Sequence, residues 1–230
     1  MPSRSLKQTL HELLVDGKLE DVAQLAAVRG RTLGSLVALT FDPDPQVQWR
    51  AIESMGMAVE RVVATKPTYV KEHMRRLNWL ITEECGAVFW RAPESMAECA
   101  LRLPRQFDTY VSIAFHLLES FEEEDLEHFR PGAIWAIGRL IEVARDDLPT
   151  VLPLVIEALD RPDPQARGMA VWCLGEVGEG KVLEGRPDLM EDQGPVQLYR
   201  NRMVEETTVG RLTKVVLDMR PSRSEGLARG

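Results

Sequence analysis

The sequence predicts an all-α protein built as a right-handed α-α superhelix of about four to five helical hairpins. The first observation is an eight-residue pattern that recurs at intervals typical of paired-helix repeats. The second is that the segments between its copies carry apolar residues at spacings of three and four, as one face of a helix does. A third observation, the character of residues 194–212, adds a short extended segment near the C-terminus.

The repeated pattern is clearest in WRAIESMG at 49–56 and WRAPESMA at 90–97, which share six of eight letters. PGAIWAIG at 131–138 and GMAVWCLG at 168–175 are further copies, so that successive copies start 41, 41 and 37 residues apart. The third letter is always Ala, and the eighth is Gly or Ala. Small residues let a neighbouring helix approach closely, and the apolar letters between them form a core-facing stripe. We therefore predict that the copies are first helices of successive hairpins.

Helix-start signals precede the first and last copies. FDPDPQ at 41–46 and DRPDPQ at 160–165 place Asp and Pro where a helix begins, because Asp accepts from free backbone N–H groups and Pro is tolerated in the first turn. Pro93 lies inside the second copy and would break a helix interior. We therefore predict that this helix starts near Arg91 or Ala92, with Pro93 in its first turn.

The remaining segments complete the predicted hairpins. The second helices are predicted at 67–84, 105–120 and 148–161, where apolar residues recur at helical spacing. In GPVQLYRNRMVEETTVGRL, an extended segment is expected to precede a closing helix from about Thr208 to Asp218.

Four units are expected along the chain. Residues 1–18 form a leading helix, 19–185 the repeat solenoid, 186–219 a C-terminal cap with a loop and the closing helix, and 220–230 a disordered tail. The tail is basic and poor in apolar residues, which is typical of a disordered segment.

The repeats resemble the HEAT repeats of the armadillo-like superfamily, in their short bacterial form D-x-D-P-x-V-R-x-x-A-x-x-A-L-G. PDPQARGMAVWCLGEVG at 162–178 is the best match, and the resemblance covers about residues 19–183. The characteristic arginine of these repeats corresponds to Arg167 and Arg130, whereas other residues replace it in the first two copies. The resemblance implies a HEAT-like solenoid, a fold that serves scaffolds, enzyme partners and a few enzymes.

A narrower resemblance concerns the second copy. NWLITEECGAVFWRAPESMAE at 78–98, followed by HFRPGAIWAIGRL at 128–140, resembles an uncharacterised family of short bacterial HEAT proteins with the signature ESGG-x-x-W-x-APE-x-M-x-E. Residues 84–87 read Glu-Cys-Gly-Ala in place of its first four letters. This resemblance implies no activity.

The composition and net charge of the chain argue against some classes of function. The net charge of −8 argues against binding driven by nucleic-acid phosphates, and no run of residues is long and apolar enough to span a bilayer. The N-terminus lacks the apolar centre of a signal peptide, so a cytoplasmic protein is expected. The negative run at 121–127 is a possible contact surface for a partner.

The sequence gives little support for motifs of catalysis, metal binding or phosphate binding. Three cysteines form neither an even set nor a CxxC pair, Cys173 is expected in the core, and the neighbouring glutamates disfavour a reactive thiolate at Cys85. Neither a paired-histidine motif nor a phosphate-binding glycine loop occurs. No catalytic residue, cofactor or metal ion is therefore predicted, and enzymatic activity is left open.

The residues around the second copy are the strongest candidates for binding a partner. Glu94 and Glu98 are one helical turn apart and Arg91 precedes Glu94 by three residues, so the three can share a face. Such a cluster suits a cationic or amide-bearing partner. The same residues can instead form a structural Glu/Arg face that is exposed, beside tryptophans that pack between repeats. Most tryptophans at such positions are core residues. The predicted partner-binding residues are Trp79, Trp90, Arg91, Glu94, Glu98 and Arg130, and Trp135 and Arg139 lie beside the last of them.

The favoured function is a non-catalytic scaffold or adaptor that binds an unidentified partner protein through the concave face of the solenoid. Side chains of the second helices and their loops are expected to line that face. The alternative is an enzyme or enzyme subunit that uses the groove as an active site, such as a HEAT-like DNA-alkylation-repair glycosylase. Arg75, Arg76, Arg91, Arg102 and Arg105 would then supply a basic patch. A third class, a lyase or chaperone for a cofactor-bearing protein, rests only on a likeness of these repeats to those of phycobilin lyases.

Overall fold

A computed structural model describes residues 5–82, 91–124 and 127–219. This part of the chain is mainly α-helical, with one antiparallel β-hairpin between its last two helices. The α-helices are α1 (Leu6–Val15), α2 (Leu19–Val28), α3 (Thr32–Leu39), α4 (Pro45–Val62), α5 (Pro67–Thr82), α6 (Ala92–Arg102), α7 (Asp108–Glu124), α8 (Arg130–Ala144), α9 (Leu148–Glu157), α10 (Pro164–Val177), α11 (Pro187–Glu191) and α12 (Val209–Asp218). The strands are β1 (Pro195–Arg200) and β2 (Met203–Thr208).

The first helices of the hairpins form one continuous layer. The copies of the repeated pattern lie in α4, α6, α8 and α10, and each of these helices packs directly against the next one. The second helices α5, α7 and α9 follow them in the chain, and α1 to α3 form the leading helix and a first, shorter hairpin. The predicted all-α solenoid is therefore confirmed.

The small residues of the pattern lie where the first helices approach one another. The Ala at the third position is fully buried in every copy (Ala51, Ala92, Ala133 and Ala170). At the eighth position, a Cβ atom on Gly56 would lie 2.6 Å from the carbonyl oxygen of Glu98 in the next first helix. A Cβ atom on Gly138 would likewise lie 2.6 Å from the ring of Trp172. The close approach predicted for these positions is therefore confirmed.

The helix starts follow the predicted chemistry. The Asp44 carboxylate accepts from the backbone N–H of Gln46 (2.8 Å), and the Asp163 carboxylate accepts from that of Gln165 (3.0 Å). A proline follows each Asp at the first helical position. Helix α6 begins at Ala92, with Pro93 in its first turn as predicted.

The predicted extended segment is the β-hairpin. Its two-residue turn, Asn201 and Arg202, has positive φ angles of 50° and 63°, which match the right-handed twist of the strands. The Thr208 hydroxyl then accepts from the N–H of Arg211 and starts α12 one residue later. The closing helix predicted from about Thr208 to Asp218 is therefore confirmed.

The β-hairpin bridges the first and last copies of the repeat. On one edge, Gln165 of α10 donates to the carbonyl of Gln197 and accepts from its N–H (both 2.8 Å). On the other edge, Gln46 of α4 donates to the carbonyl of Arg202 (2.9 Å) and accepts from the N–H of Val204 (3.0 Å). Gln46 and Gln165 occupy the same place in the two DPQ helix starts. The 186–219 segment thus spans the layer of first helices as well as contacting its end.

Replacing Gln165 with alanine is expected to loosen β1. The Gln197 amide would lose its side-chain acceptor, and its hydrogen exchange should accelerate about tenfold. Gln193→Ala is the matched control, because among the described residues the side chain of Gln193 bonds locally, to the Glu191 carbonyl. Amide exchange followed by NMR measures both variants. Unchanged protection of Gln197 in the Gln165→Ala variant would contradict the bridging role of this side chain.

Several features predicted from the sequence fall beyond the structure's described ranges. Trp90, Cys85 and the 220–230 tail lie outside them, as do the side chains of residues 121–126 in the acidic run. Cys173 is fully buried as predicted, and burial raises the pKa of its thiol. Within the described ranges, no helix combines the length and apolar character that crossing a membrane requires.

Candidate functional site

A cleft lies between the first helices and the C-terminal segment. Its volume is about 940 Å³. One wall comes from α4, α6, α8 and α10, and the other comes from the β-turn and α12. The described residues that line it are Glu53, Glu98, Trp135, Arg139, Trp172, Gly175, Glu176, Gly178, Gly180, Lys181, Tyr199, Arg200, Asn201, Arg202, Leu212, Val215, Val216 and Met219.

A row of aromatic rings joins the two walls of the cleft. Tyr199 of β1 stacks on Trp49 with ring centroids 5.3 Å apart, and Trp49 contacts Trp135 at 4.8 Å. Trp135 is in turn nearly parallel to Trp172, at 6.3 Å. Because every first helix except α6 contributes a tryptophan to this row, the spacing of the repeats sets the spacing of the rings.

Glu53 anchors the β-hairpin at one end of the cleft. Tyr199 Oη donates to Glu53 Oε2 (2.6 Å), and Arg202 Nε donates to Glu53 Oε1 (3.2 Å). Arg202 also donates to Glu20 of α2 (2.7 Å). Burial and the hydrogen bond to Glu53 raise the pKa of the Tyr199 phenol, which therefore stays protonated at neutral pH. The turn is thus fixed to the N-terminal hairpins by charge-assisted hydrogen bonds.

Glu98 is a buried carboxylate in the wall of the cleft. Arg139 Nε donates to Oε1 of Glu98 (2.8 Å), and Arg139 Nη2 forms an ion-pair contact of 2.8 Å with the same oxygen. Oε2 is buried and has no hydrogen-bond partner within the described part of the chain. Burial raises the pKa of Glu98, and the nearby Arg139 opposes this shift. An unpartnered buried carboxylate oxygen is costly, so this atom is a candidate for ligand contact.

A second, smaller cavity of about 300 Å³ lies on the other side of Trp135. Arg91 donates to Glu94 Oε1 (2.8 Å), and its guanidinium lies 4.8 Å from the ring centre of Trp49. Glu94 is buried against Gly132, where an added Cβ atom would lie 2.7 Å from the carboxylate. Trp135 lines both cavities and therefore forms the wall between them.

The predicted binding residues are divided between different environments. Glu98 lines the cleft, whereas Arg91 and Glu94 line the second cavity. Glu94 and Glu98 share a helix as predicted, yet only 1% and 2% of their surfaces are exposed, so the interpretation of both as part of an exposed face is wrong. The physical reason is that the neighbouring first helices cover this side of α6, where Glu98 pairs with Arg139 of α8 and Glu94 pairs with Arg91, just before α6.

Trp79 and Arg130 line neither cavity, and Trp90 lies outside the described residues. Trp79 on α5 is 58% exposed. Arg130 is fully buried and pairs with Glu127, donating Nε to Oε2 and Nη2 to Oε1, both at 2.9 Å. Hydrogen bonding from Arg130 lowers the pKa of Glu127. The Arg130 guanidinium thus forms an ion pair with Glu127 at the start of α8.

The expectation that second helices line the groove is wrong for this cleft, whose helical wall comes from the first helices. The arginines proposed for a basic patch also lie elsewhere: of Arg75, Arg76, Arg91, Arg102 and Arg105, none lines the cleft. Arg75 pairs with Glu72 and Arg102 with Glu60. This arrangement gives no support to a duplex-binding groove.

Sequence reasoning missed the C-terminal wall of the cleft. It did not single out Tyr199, Arg202 or Trp172 as site residues, and it predicted α12 as part of a C-terminal cap. One signal was present in the sequence: DPQ precedes both the first and the last copy, so that Gln46 and Gln165 recur at the same position. Within the described residues, no group of three or more His, Cys, Asp or Glu side chains is placed to hold a metal ion.

The segment from α8 to α10 is similar to a known protein family. Residues 127–177 match the family model of the HEAT-like repeat. These residues form a HEAT-like repeat. The resemblance predicted from the sequence is confirmed there, and this HEAT-like repeat supplies Trp135, Arg139 and Trp172 to the cleft.

A relative from Archaeoglobus fulgidus is described as an uncharacterised protein. It is 26% identical over 145 residues, which cover 63% of this chain and 73% of the relative. The similarity is consistent with a family of uncharacterised HEAT-repeat proteins.

Proposed function

We propose that this protein is a non-catalytic interaction module that holds a segment of a partner protein in the cleft. The observation that carries the proposal is the cleft itself, in which aromatic rings from the repeats face the apolar side of α12. Its volume of about 940 Å³ is at the upper end of the range of roughly 300–1,000 Å³ that is typical of ligand sites. HEAT-like repeats commonly build such surfaces without a catalytic centre.

The lining has the composition of the centre of a protein interface. Trp135, Trp172 and Tyr199 offer ring surface, and Leu212 and Val215 belong to the aliphatic wall opposite. Tryptophan, tyrosine and arginine are the residues that most often dominate binding energy at interfaces. Arg139, which lies 5.6 Å from the ring centre of Trp135, adds a cation beside the aromatic row. Of the residues predicted from the sequence, we assign Glu98 to this surface.

Site-directed photo-crosslinking tests the proposal. p-Benzoylphenylalanine in place of Met219, at the rim of the cleft, is expected to crosslink one protein through one short segment in a lysate of the source organism. The same probe in place of Val28 is the control, because Val28 is 77% exposed and lies away from the cleft. Mass spectrometry of the crosslinked peptides identifies the segment.

A variant that fills the cleft makes the test specific. Val215→Trp should abolish the crosslink at position 219, whereas Val28→Trp should leave it intact, with far-UV circular dichroism confirming that both variants are folded. Crosslinks of equal yield at positions 28 and 219, or a crosslink at 219 that survives Val215→Trp, would contradict the proposal.

A further inference from the structure

We infer that the cleft recognises an uncharged carboxamide, supplied by an Asn or Gln side chain of the bound segment. Its N–H donates to Glu98 Oε2, and its carbonyl accepts from Trp135 Nε1. This inference rests on the proposed function, because it specifies the chemistry of the segment that the cleft holds. Two buried polar atoms on side chains that line the same cleft, one acceptor and one donor, carry it.

The acceptor is Glu98 Oε2. Only 2% of Glu98 is exposed, and Oε2 has no hydrogen-bond partner among the residues that the structure describes. Arg139 Nε donates to Oε1, and the ion-pair contact of Arg139 Nη2 is with the same oxygen, so neither contact satisfies Oε2. The Arg139 side chain is 38% exposed, so its guanidinium can move towards solvent when a ligand approaches Oε2.

The donor is Trp135 Nε1. Trp135 is 2% exposed, and its indole nitrogen is likewise without a hydrogen-bond partner in the described ranges. The Arg139 guanidinium lies over the Trp135 ring and also pairs with Glu98, so the donor and the acceptor flank the same group. Buried indole N–H groups usually have a partner, and a carbonyl oxygen is the usual one.

The charges around the cleft favour a neutral ligand group over a cation. Arg139 already balances Glu98, and Arg202 already balances Glu53. Lys181, Arg200 and Glu176 also line the cleft, so its described lining has no net negative charge that would favour an incoming ammonium or guanidinium group. A carboxamide adds no charge, and its paired donor and acceptor satisfy both buried atoms.

The aromatic row favours a planar group. Trp135 and Trp172 are stacked with an angle of 15° between their ring planes, and both residues line the cleft. A carboxamide is planar and can pack against an aromatic ring while its polar edge contacts Glu98 and Trp135. An aliphatic ammonium group lacks both the plane and the acceptor.

NMR of the indole N–H groups tests the inference directly. The probe is N-acetylglutamine methylamide, titrated into the full-length protein, with Trp135→Phe used to assign the Trp135 resonance. We expect the Trp135 indole resonance to shift with a Kd on the order of 1 mM, as is typical of a ligand of this size. N-Acetyllysine methylamide, N-acetylglutamate methylamide and uridine monophosphate are the comparison probes and should bind at least about tenfold more weakly.

Two matched variants test which buried carboxylate binds the carboxamide probe. Glu98→Gln places an amide N–H where the acceptor oxygen was, so affinity for the carboxamide probe should fall about tenfold. Glu94→Gln changes an equally buried carboxylate that lines the second cavity and should leave affinity unchanged. Each variant is first shown to be folded by its amide spectrum, and crosslinking from position 219 is repeated in both.

The outcomes separate the inference from the proposed function. No shift of the Trp135 resonance, tighter binding of the lysine probe, or equal effects of the two variants overturns carboxamide recognition. If crosslinking from position 219 survives any of these results, the proposed interaction module stands without this specificity. If uridine monophosphate alone binds and no protein crosslinks, both the inference and the proposed function are overturned.

Discussion

Replacing Gly56 with alanine is expected to lower the free energy of unfolding by about 1–3 kcal/mol, because the added methyl group collides with backbone atoms. Its Cβ atom would lie 2.6 Å from the carbonyl oxygen of Glu98 and 3.0 Å from the carbonyl carbon. Neither atom belongs to a side chain that can rotate away. Helices α4 and α6 must therefore separate, and Glu98 must move with α6.

Gly34→Ala is the matched control for this substitution. Gly34 lies in α3, and apart from its chain neighbours and the adjacent backbone of that helix, no described heavy atom lies within 4 Å of the position that its Cβ atom would occupy. Alanine there should raise the free energy of unfolding by about 0.4–1 kcal/mol, because it restricts the unfolded chain and favours the helix. Urea denaturation of both variants measures the difference. A Gly56→Ala protein as stable as the Gly34→Ala protein would show that the first helices are not in contact at this position.

Replacing Trp49 with alanine is expected to cost about 3–5 kcal/mol, the range found for large aromatic side chains in a core. Trp49 is 4% exposed and contacts Trp135, Tyr199 and the guanidinium of Arg91. Its loss removes the centre of the aromatic row and the surface on which β1 is stacked. The β-hairpin should therefore lose protection from hydrogen exchange along with the global loss of stability.

Trp79→Ala is the control for Trp49→Ala. Trp79 is 58% exposed, and surface substitutions usually change the free energy of unfolding by about 0.5 kcal/mol or less. Denaturant titrations followed by circular dichroism measure both variants without relying on tryptophan fluorescence. Similar losses of stability in the two variants would contradict the position of Trp49 at the junction between repeats and β-hairpin.

The parts of the fold that depend on local rules were predictable from the sequence. Asp and Pro at helix starts act on neighbouring backbone groups, which is why the start of α10 and the position of Pro93 were predicted correctly. The small residues at fixed places in the repeat also predicted the close packing of first helices, because each repeat meets its neighbour in a similar way.

Burial within the site was less predictable, because it depends on residues distant in the sequence. The spacing of Glu94 and Glu98 placed them on one helix, but the partner of Glu98 is Arg139, 41 residues later. The same applies to Tyr199, whose hydroxyl donates to Glu53 across 146 residues. The shared letters of the repeat describe contacts between adjacent repeats, and apart from the recurrence of DPQ they do not indicate a segment that crosses several repeats.

The bridge formed by the β-hairpin also constrains how the array can change in length. Solenoids usually gain or lose repeats with little penalty, since each repeat contacts only its neighbours. Here Gln46 and Gln165 hold opposite edges of one short hairpin, so the distance between α4 and α10 must match its width. Inserting or deleting one hairpin would move these two glutamines apart or together and leave one edge of the sheet uncovered. The C-terminal segment therefore limits the number of repeats that can lie between its two attachment points, Gln46 and Gln165.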